Sequence, residues 1–437
     1  MTDGVRSDGI RTPLLTSLEK RQRRLVSSCP GHPLEGQVRR CRCGRRRGSM
    51  SRPWRILFFL LFALACLLLL EMVILSKLMA GNGGVPRVKT AAHLPLRFRP
   101  DGTFKILQVA DMHYGEGWTT RCKDVLPSQF AGCSDLNTTR FLRRMIGAEE
   151  PDLIVFSGDN IFGPSTSDAA KSLSEAFGPA IESKLPWAAI LGNHDQESTM
   201  SRAEVMTFIS LMDYSVSEVN PPNLNGDHAS IDGFGNYNLV VHGASGSELA
   251  TSSVLNLYLL DSGDREISNG SQTSGWIKES QLRWLHKLSK GFQSSTTIQA
   301  PALAFFHIPI PEVKELRFKK IVGEFQQKVS CSSVNSGVLQ TLVSMGDVKA
   351  VFMGHDHLND FCGDISSILF CHGGGFGYHG YGNALWPRRA RVVLSELEKD
   401  GDTWLGIKRI RTWKCLDDQV LTKIDEQVVW EQHQSGR

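Results

Sequence analysis

The chain has no internal repeat of fixed period, which excludes a solenoid or a propeller built from equivalent blades. Cysteine is sparse, ten in 437 residues, too few for a scaffold held together chiefly by disulfides. Acidic residues are nearly missing from the first 55 positions, which hold 14 Lys and Arg against 4 Asp and Glu, net +10. The remainder carries 35 against 41, net −6, so the overall +4 hides two segments of opposite sign. With 41% apolar residues, the chain beyond the basic segment is ample for one sizeable core.

Long apolar runs are also rare, and the one present is Ile56 to Leu70, continued past Glu71 to Leu75. A run of about 20 apolar residues suits a bilayer, and Arg45, Arg46, Arg47, Arg52 and Arg55 on its N-terminal side would keep that end cytosolic. The expectation is a membrane-spanning signal-anchor or a signal peptide at 54–79; if Met50 is the start, a cleaved signal fits as well. Both deliver the domain to the secretory pathway, lumenal or extracellular, with the membrane as partner. A basic patch placed ahead of an apolar run favours a membrane over nucleic acid, and no nucleic acid is expected.

The organisation expected is a basic disordered segment at 1–53, the apolar helix at 54–79, a linker at 80–94, a catalytic domain at 95–415 and a tail at 416–437. Cys29, Cys41, Cys43 and His32 do not complete a zinc knuckle, since no second close pair supplies four ligands. Six cysteines beyond residue 80 allow 15 pairings, and close spacing favours Cys122 with Cys133 and Cys362 with Cys371, with unpaired thiols as the alternative. Asn137 and Asn269 open glycosylation sequons.

Within the domain, Leu96–Phe98 and Phe104–Val109, separated by Pro100-Asp101-Gly102, suggest a hairpin. Leu153–Phe156, Trp187–Leu191, Leu255–Leu260, Ala302–Phe306 and Val348–Met353 read as buried strands. Helical spacing covers Thr138–Met145, Ser201–Met212 behind a Ser201/Glu204 capping box, and Glu279–Lys290 ahead of Gly291 as a C-terminal cap. Strand and helix alternation points to α/β architecture. The run Arg388, Arg389, Arg391 before Val392-Val393 reads as a solvated strand edge.

Five strings then stand where apolar runs stop: Asp111-Met112-His113, Gly158-Asp159-Asn160, Gly192-Asn193-His194-Asp195, Phe306-His307 and Gly354-His355-Asp356-His357. Carboxylate, amide and imidazole donors without a thiolate suit Fe, Mn, Zn or Mg, and loops at strand ends converge in a parallel sheet. In that order, D-x-H, G-D, G-N-H-D, H, G-H-x-H, the chain resembles the calcineurin-like metallophosphoesterase superfamily. The strings LQVADMHYG, FSGDNIFG, ILGNHDQE, FFHIPIPE, MGHDHLNDFCG and HGGGFGYHGYG resemble the short plant purple-acid-phosphatase-like proteins, a D-x-H subtype sometimes called probable inactive.

The resemblance implies a four-layer αββα sandwich and two metal ions. Asp111, His113, Asp159 and His357 would hold one; Asp159, Asn193, His307 and His355 the other, with Asp159 as the bridge. It further implies that His194 contacts the phosphoryl group or protonates the leaving alkoxide, and that Asp195 orients it. Asn160 and His379 are candidates for substrate contact. True purple enzymes have D-x-G and G-D-x-x-Y, where this sequence has His113 and Phe162, so an iron-tyrosinate is not expected. The activity implied is hydrolysis of phosphate monoesters on a small molecule or a protein. The alternatives are a phosphodiesterase acting on nucleotides or lipids, or a catalytically silent binding protein tethered to the membrane.

Overall fold

The computed structural model describes residues 52–80, 88–221, 230–295 and 299–432. The basic segment ahead of residue 52 and the Gly81 to Pro86 part of the expected linker lie outside the described residues. The chain divides into two units, Met1–Val85 and Pro86–Arg437.

In the first unit the described element is helix α1 (Arg52–Ala80). Its described side chains run unbroken from 56 to 72, all exposed. Among the described residues no helix is long and apolar enough to cross a membrane, so the expected spanning or signal helix at 54–79 is not supported.

The second unit is built on two mixed sheets. One has eight strands in the order β1 (Leu96–Arg97), β5 (Tyr237–His242), β6 (Ser253–Leu259), β9 (Ala302–Phe305), β11 (Val348–Met353), β13 (Ile368–His372), β12 (Cys362–Ile365) and β10 (Ile321–Val322). The other has six: β16 (Lys423–Glu431), β15 (Thr403–Leu416), β14 (Arg389–Asp400), β2 (Thr103–Val109), β3 (Leu153–Ser157) and β4 (Trp187–Ile190). A separate hairpin pairs β7 (Arg265–Ser268) with β8 (Ser271–Ser274). Parallel pairing joins β2, β3 and β4 in one sheet and β6, β9, β11 and β13 in the other.

Alternation along the strands decides the layering, because successive side chains leave opposite faces. Leu257, Leu259, Leu303, Phe305, Ala350 and Phe352 join the core that also holds Ile106, Ile154, Val392 and Ile410 of the six-stranded sheet. Their neighbours Tyr258, Leu260, Ala304, Phe306, Val351 and Met353 face the other way. They pack with Leu282 and Leu285 of α7 (Glu279–Ser295) and Leu339, Leu342 and Met345 of α8 (Val338–Met345). Beside the six-stranded sheet lie α3 (Asp135–Glu149), α4 (Ala169–Ala176), α5 (Gly178–Ser183) and α6 (Arg202–Ser210), following the single turn α2 (Pro127–Phe130). Each fully buried Leu or Phe in these layers contributes about 1.5–3 kcal/mol. The metallophosphatase type of α/β fold with mixed sheets is thus present.

Several local expectations need correction. The Pro100-Asp101-Gly102 turn forms, with Thr103 N–H donating to Asp101 Oδ1 at 3.0 Å, but no hairpin follows. β1 pairs with β5 and β2 with β14, since a turn signal fixes a reversal and not the pairing partners. Helix α7 runs through Gly291 to Ser295 instead of ending before it. The expected tail at 416–437 contains β16, an edge strand on β15 whose charged residues disguise it. The last part of the expected linker is also attached, through Thr90 N–H to Asp213 Oδ1 at 2.8 Å and Lys89 Nζ to the Ser210 carbonyl at 2.6 Å.

Arg388, Arg389 and Arg391 are buried and not a solvated edge. Arg389 pairs with Asp360 at 2.6 Å, Lys414 reaches the same carboxylate at 2.7 Å, and Arg391 donates to the carbonyls of Asp360 and His372 at 2.7 and 2.8 Å. Buried cations survive only when paired in this way. Disulfides join Cys122 to Cys133 and Cys362 to Cys371; the second ties β12 to β13 at a directly opposed pair.

Candidate metal centre

Strands from both sheets end at one place. Asp111 and His113 follow β2, Asp159 follows β3, Asn193 and His194 follow β4, His307 follows β9, and His355 and His357 follow β11. The loops are stitched across: His113 N–H donates to the Asp159 carbonyl at 2.9 Å, His194 N–H to Asp159 Oδ1 at 2.8 Å, and His355 N–H to Asp111 Oδ1 at 2.9 Å. Four of these residues sit in the left-handed region, Asp111 (φ 57°), His113 (47°), Asp159 (50°) and His355 (75°). Such conformations cost about 1–3 kcal/mol each and persist where the surroundings over-determine them, as at ligand-holding sites. Gly192 is required by close approach, because a Cβ there would lie 2.1 Å from Asp159 Oδ1.

The donors form two groups, Asp111/His113/His357 and Asp159/His307/His355, with the ligand atoms in each within 4.8 Å of one another. Asp159 Oδ2 lies 3.3 Å from His113 Nε2 in one group and 3.2 Å from His307 Nε2 in the other, so this carboxylate faces both. His307 Nε2 nevertheless has no hydrogen-bond partner, and neither does the buried Asn193 Oδ1. Orphaned buried polar atoms are costly unless something fills the space between them. His113 Nε2 and His357 Nε2 stand 2.9 Å apart, a close approach that a shared cation would account for.

The outer nitrogens are fixed. His357 Nδ1 meets the Tyr381 carbonyl at 2.8 Å and His307 Nδ1 the Ser157 carbonyl at 2.9 Å. With Nδ1–H donating outward, each Nε2 lone pair points inward, the tautomer a metal ligand needs. Tyr381 also stacks on His357, with centroids 3.8 Å apart and planes 8° from parallel.

Electrostatics agree. Burial pushes His113 down to about 4 and His355 down to about 3, so both imidazoles are neutral at pH 7, as ligation requires. At His307 burial opposes the charge, but Asp159, with Asp111 and the Ser157 carbonyl, outweighs it and holds the imidazole up at about 9. The two carboxylates stay below their ordinary range: burial opposes this, and His357 beside Asp111 and His307 beside Asp159 overcome it. A cation bound there would displace the proton on His307. These residues therefore fit a two-cation centre.

His194 lies alongside, its ring 5.2 Å from that of His113 and 4.9 Å from that of Phe162. Its Nδ1 is held by Glu197 Oε2 at 2.5 Å, and Glu197 Oε1 is held in turn by Arg265 of β7 at 2.5 Å. This corrects the expectation for Asp195. That carboxylate is buried and accepts from the N–H groups of Asn160, Ile161 and Gly192 at 2.8, 3.0 and 2.7 Å, so it shapes the loops and does not orient His194. Burial first, and then Asp159, push Asp195 up to about 6.

Asn160 is likewise structural, its amide donating to the Ile190 carbonyl at 3.0 Å and to Asp195 at 3.2 Å. His379 stands at the rim, edge-on to Phe162 with centroids 5.5 Å apart, its nitrogens taken by the Arg121 carbonyl (2.7 Å) and Ser165 Oγ (2.9 Å). Asn137 is half-buried in the first turn of α3, its Oδ1 accepting from Ser134 N–H at 3.4 Å, which does not suit a glycan acceptor. Asn269 is exposed at the β7–β8 turn.

No motif in the sequence marks Glu197 or Arg265. Glu197 sits three residues past His194 in the same loop, the one local signal of its role; Arg265 arrives from a separate hairpin and carries none. Glu197→Gln is expected to lower kcat about 10-fold with bound metal unchanged, since it loosens an imidazole and removes no ligand. Steady-state rates beside metal analysis check this, and an unaltered kcat refutes the positioning role.

A family model for the calcineurin-like phosphoesterase matches residues 104–359. "Probable inactive purple acid phosphatase 28" of Arabidopsis thaliana is 61% identical over 378 residues, 85% of this chain and 95% of that protein. "Probable inactive purple acid phosphatase 29" of the same plant is 50% identical over 88% of this chain and 96% of its own length. "Phosphatase DCR2" of Saccharomyces cerevisiae is 32% identical over 72% of this chain and 54% of its own length. Among solved structures, a dimetal phosphatase from Danio rerio aligns over 75% of this chain and 99% of its own, with TM-score 0.44 and 17% identity.

Proposed function

Because this chain belongs to the calcineurin-like phosphoesterase family, we propose that it hydrolyses phosphate esters, monoesters in particular, at the centre described above. The observation that carries this reading is Asp159 Oδ2 facing both donor groups, with His194 held beside them. Two cations there would supply a deprotonated water and neutralise phosphoryl oxygens. The chain's own residues do the rest. Asp111 and Asp159 set the negative charge that retains the cations, and Tyr381 and Ser157 fix imidazole tautomers. With Nδ1 committed to Glu197, His194 has Nε2 left to donate a proton to a departing alkoxide.

The Arabidopsis relatives carry "probable inactive" in their names. In this chain the differences from the purple type are Phe162, which removes a tyrosinate, and His113, which adds an imidazole to a donor group. The ligand set is changed in kind and not depleted, which favours catalysis over a silent binding role. The test is turnover of 4-nitrophenyl phosphate and its bis-ester by the full chain supplied with Mn, Zn or Fe. A wild-type rate no higher than that of Asp159→Asn under every metal abandons catalysis; preference for the bis-ester makes it a diesterase. The secretory placement is also proposed, supported by the two disulfides, which persist in oxidising compartments. Free thiols at Cys122 and Cys362 in protein taken directly from cells would count against it.

A further inference from the structure

The loop closed by the Cys122–Cys133 disulfide brings one cation to the mouth of the metal centre. Lys123 is held at its backbone from both sides: its N–H donates to the Tyr378 carbonyl at 2.8 Å, and its carbonyl accepts from Arg388 Nη2 at 3.0 Å. The next residue adds a third anchor, Asp124 Oδ2 accepting from Gly382 N–H at 2.9 Å. The side chain, by contrast, is exposed and makes no hydrogen bond or ion pair among the described residues. Its ammonium stands 4.5 Å over the centre of the Phe162 ring. That ring is 4.9 Å from the His194 ring and 5.4 Å from the His113 ring, so the ammonium is no more than about 10 Å from either.

A pinned backbone carrying a cation with no hydrogen bond or ion pair, only the more distant charges of Asp124 and Asp135, differs from an ordinary surface lysine, and among the described residues two arginines nearby are already engaged. Arg265 is paired with Glu197 and Asp264, and Arg388 is spent on the carbonyls of Tyr381, Gly380 and Lys123. Phe162 has no hydroxyl, so this side of the site offers a phosphate no polar group from that ring. We propose that Lys123 is a substrate-contacting residue that binds a terminal phosphate oxygen and selects dianionic phosphate monoesters over monoanionic diesters. Its face-on seat over Phe162 parks the ammonium until an anion arrives, since an exposed cation–π contact is weak beside a charge-assisted hydrogen bond to phosphate.

This inference rests on the phosphoesterase reading for its substrate class but is tested by binding. The full chain loaded with Mn or Zn is titrated calorimetrically with orthophosphate and with dimethyl phosphate, as wild type, Lys123→Met and Lys123→Arg, with bound metal measured in each. Lys123→Met is expected to weaken orthophosphate about 10–100-fold and dimethyl phosphate less than about threefold, with metal content unchanged and Lys123→Arg close to wild type. Equal affinity of wild type and Lys123→Met for orthophosphate, equal losses for both ligands, or a wild type that binds no orthophosphate overturns it. A wild type that binds orthophosphate through Lys123 yet hydrolyses no ester supports this inference while defeating the hydrolase reading.

Discussion

Asp159→Asn is expected to lower turnover by about 10³–10⁵-fold and to leave the protein short of metal at both groups. Asp159 has one oxygen, Oδ2, facing His113 on one side and His307 on the other, while Oδ1 accepts the His194 N–H. The substitution keeps the shape and allows the amide oxygen to retain that last bond, so the fold should survive. What disappears is the charge. That carboxylate is the first of the groups that offset burial at His307, and a cation in the site loses the same attraction. Metal stoichiometry by elemental analysis, with circular dichroism as the control for folding, decides the matter. Two tightly held ions in a folded Asp159→Asn protein with a rate within tenfold of wild type would refute the bridging assignment.

His194→Ala is expected to cost about 10²–10⁴-fold in kcat with both metals retained. The imidazole adjoins the donor groups without belonging to either, so its removal should not release a cation. Two roles remain open to it, proton donor or contact to the phosphoryl oxygen, and leaving groups separate them. A nitrophenolate departs without help, whereas an alkoxide needs a proton. A general acid therefore shows a much larger loss on an alkyl phosphate than on 4-nitrophenyl phosphate. Equal losses on the two substrates would leave His194 as a contact to the phosphoryl group.

The Glu197 and Lys123 substitutions probe a different layer, groups that support or extend the centre without composing it. Smaller effects are expected there because the cations and the His194 imidazole stay in place. The Glu197 effect should appear in kcat at constant metal, and the Lys123 effect in affinity for a dianion.

The candidate ligand residues are legible in the sequence because each is a local feature, a short polar string at the point where an apolar strand stops. Val109, Ser157, Ile190, Phe305 and Met353 end strands, and the donors come within four residues of those ends. The capping box at Ser201 and Glu204 is equally local, and α6 starts there. Elements whose identity depends on distant partners are misread. β16 resembles a tail because its charged residues suit an edge, and Arg389 and Arg391 look solvated because Asp360, their counter-charge, lies about 30 residues away in sequence. The resemblance assigns Asp195 to His194, yet neighbouring residues in a loop point in different directions. Glu197 has the reach, and Asp195 is turned inward to the amides of Asn160, Ile161 and Gly192.

The sequence by itself determined the family, the α/β class and the donor types, because carboxylate and imidazole chemistry and strand periodicity are properties of individual residues and short runs. Only the tertiary structure decided that Asp159 faces both groups, that Glu197 and not Asp195 steadies His194, and that Lys123 overhangs Phe162. Those facts depend on where two sheets, a separate hairpin and a disulfide-closed loop meet. Distance between side chains far apart in the chain is set by packing, and no local pattern encodes it.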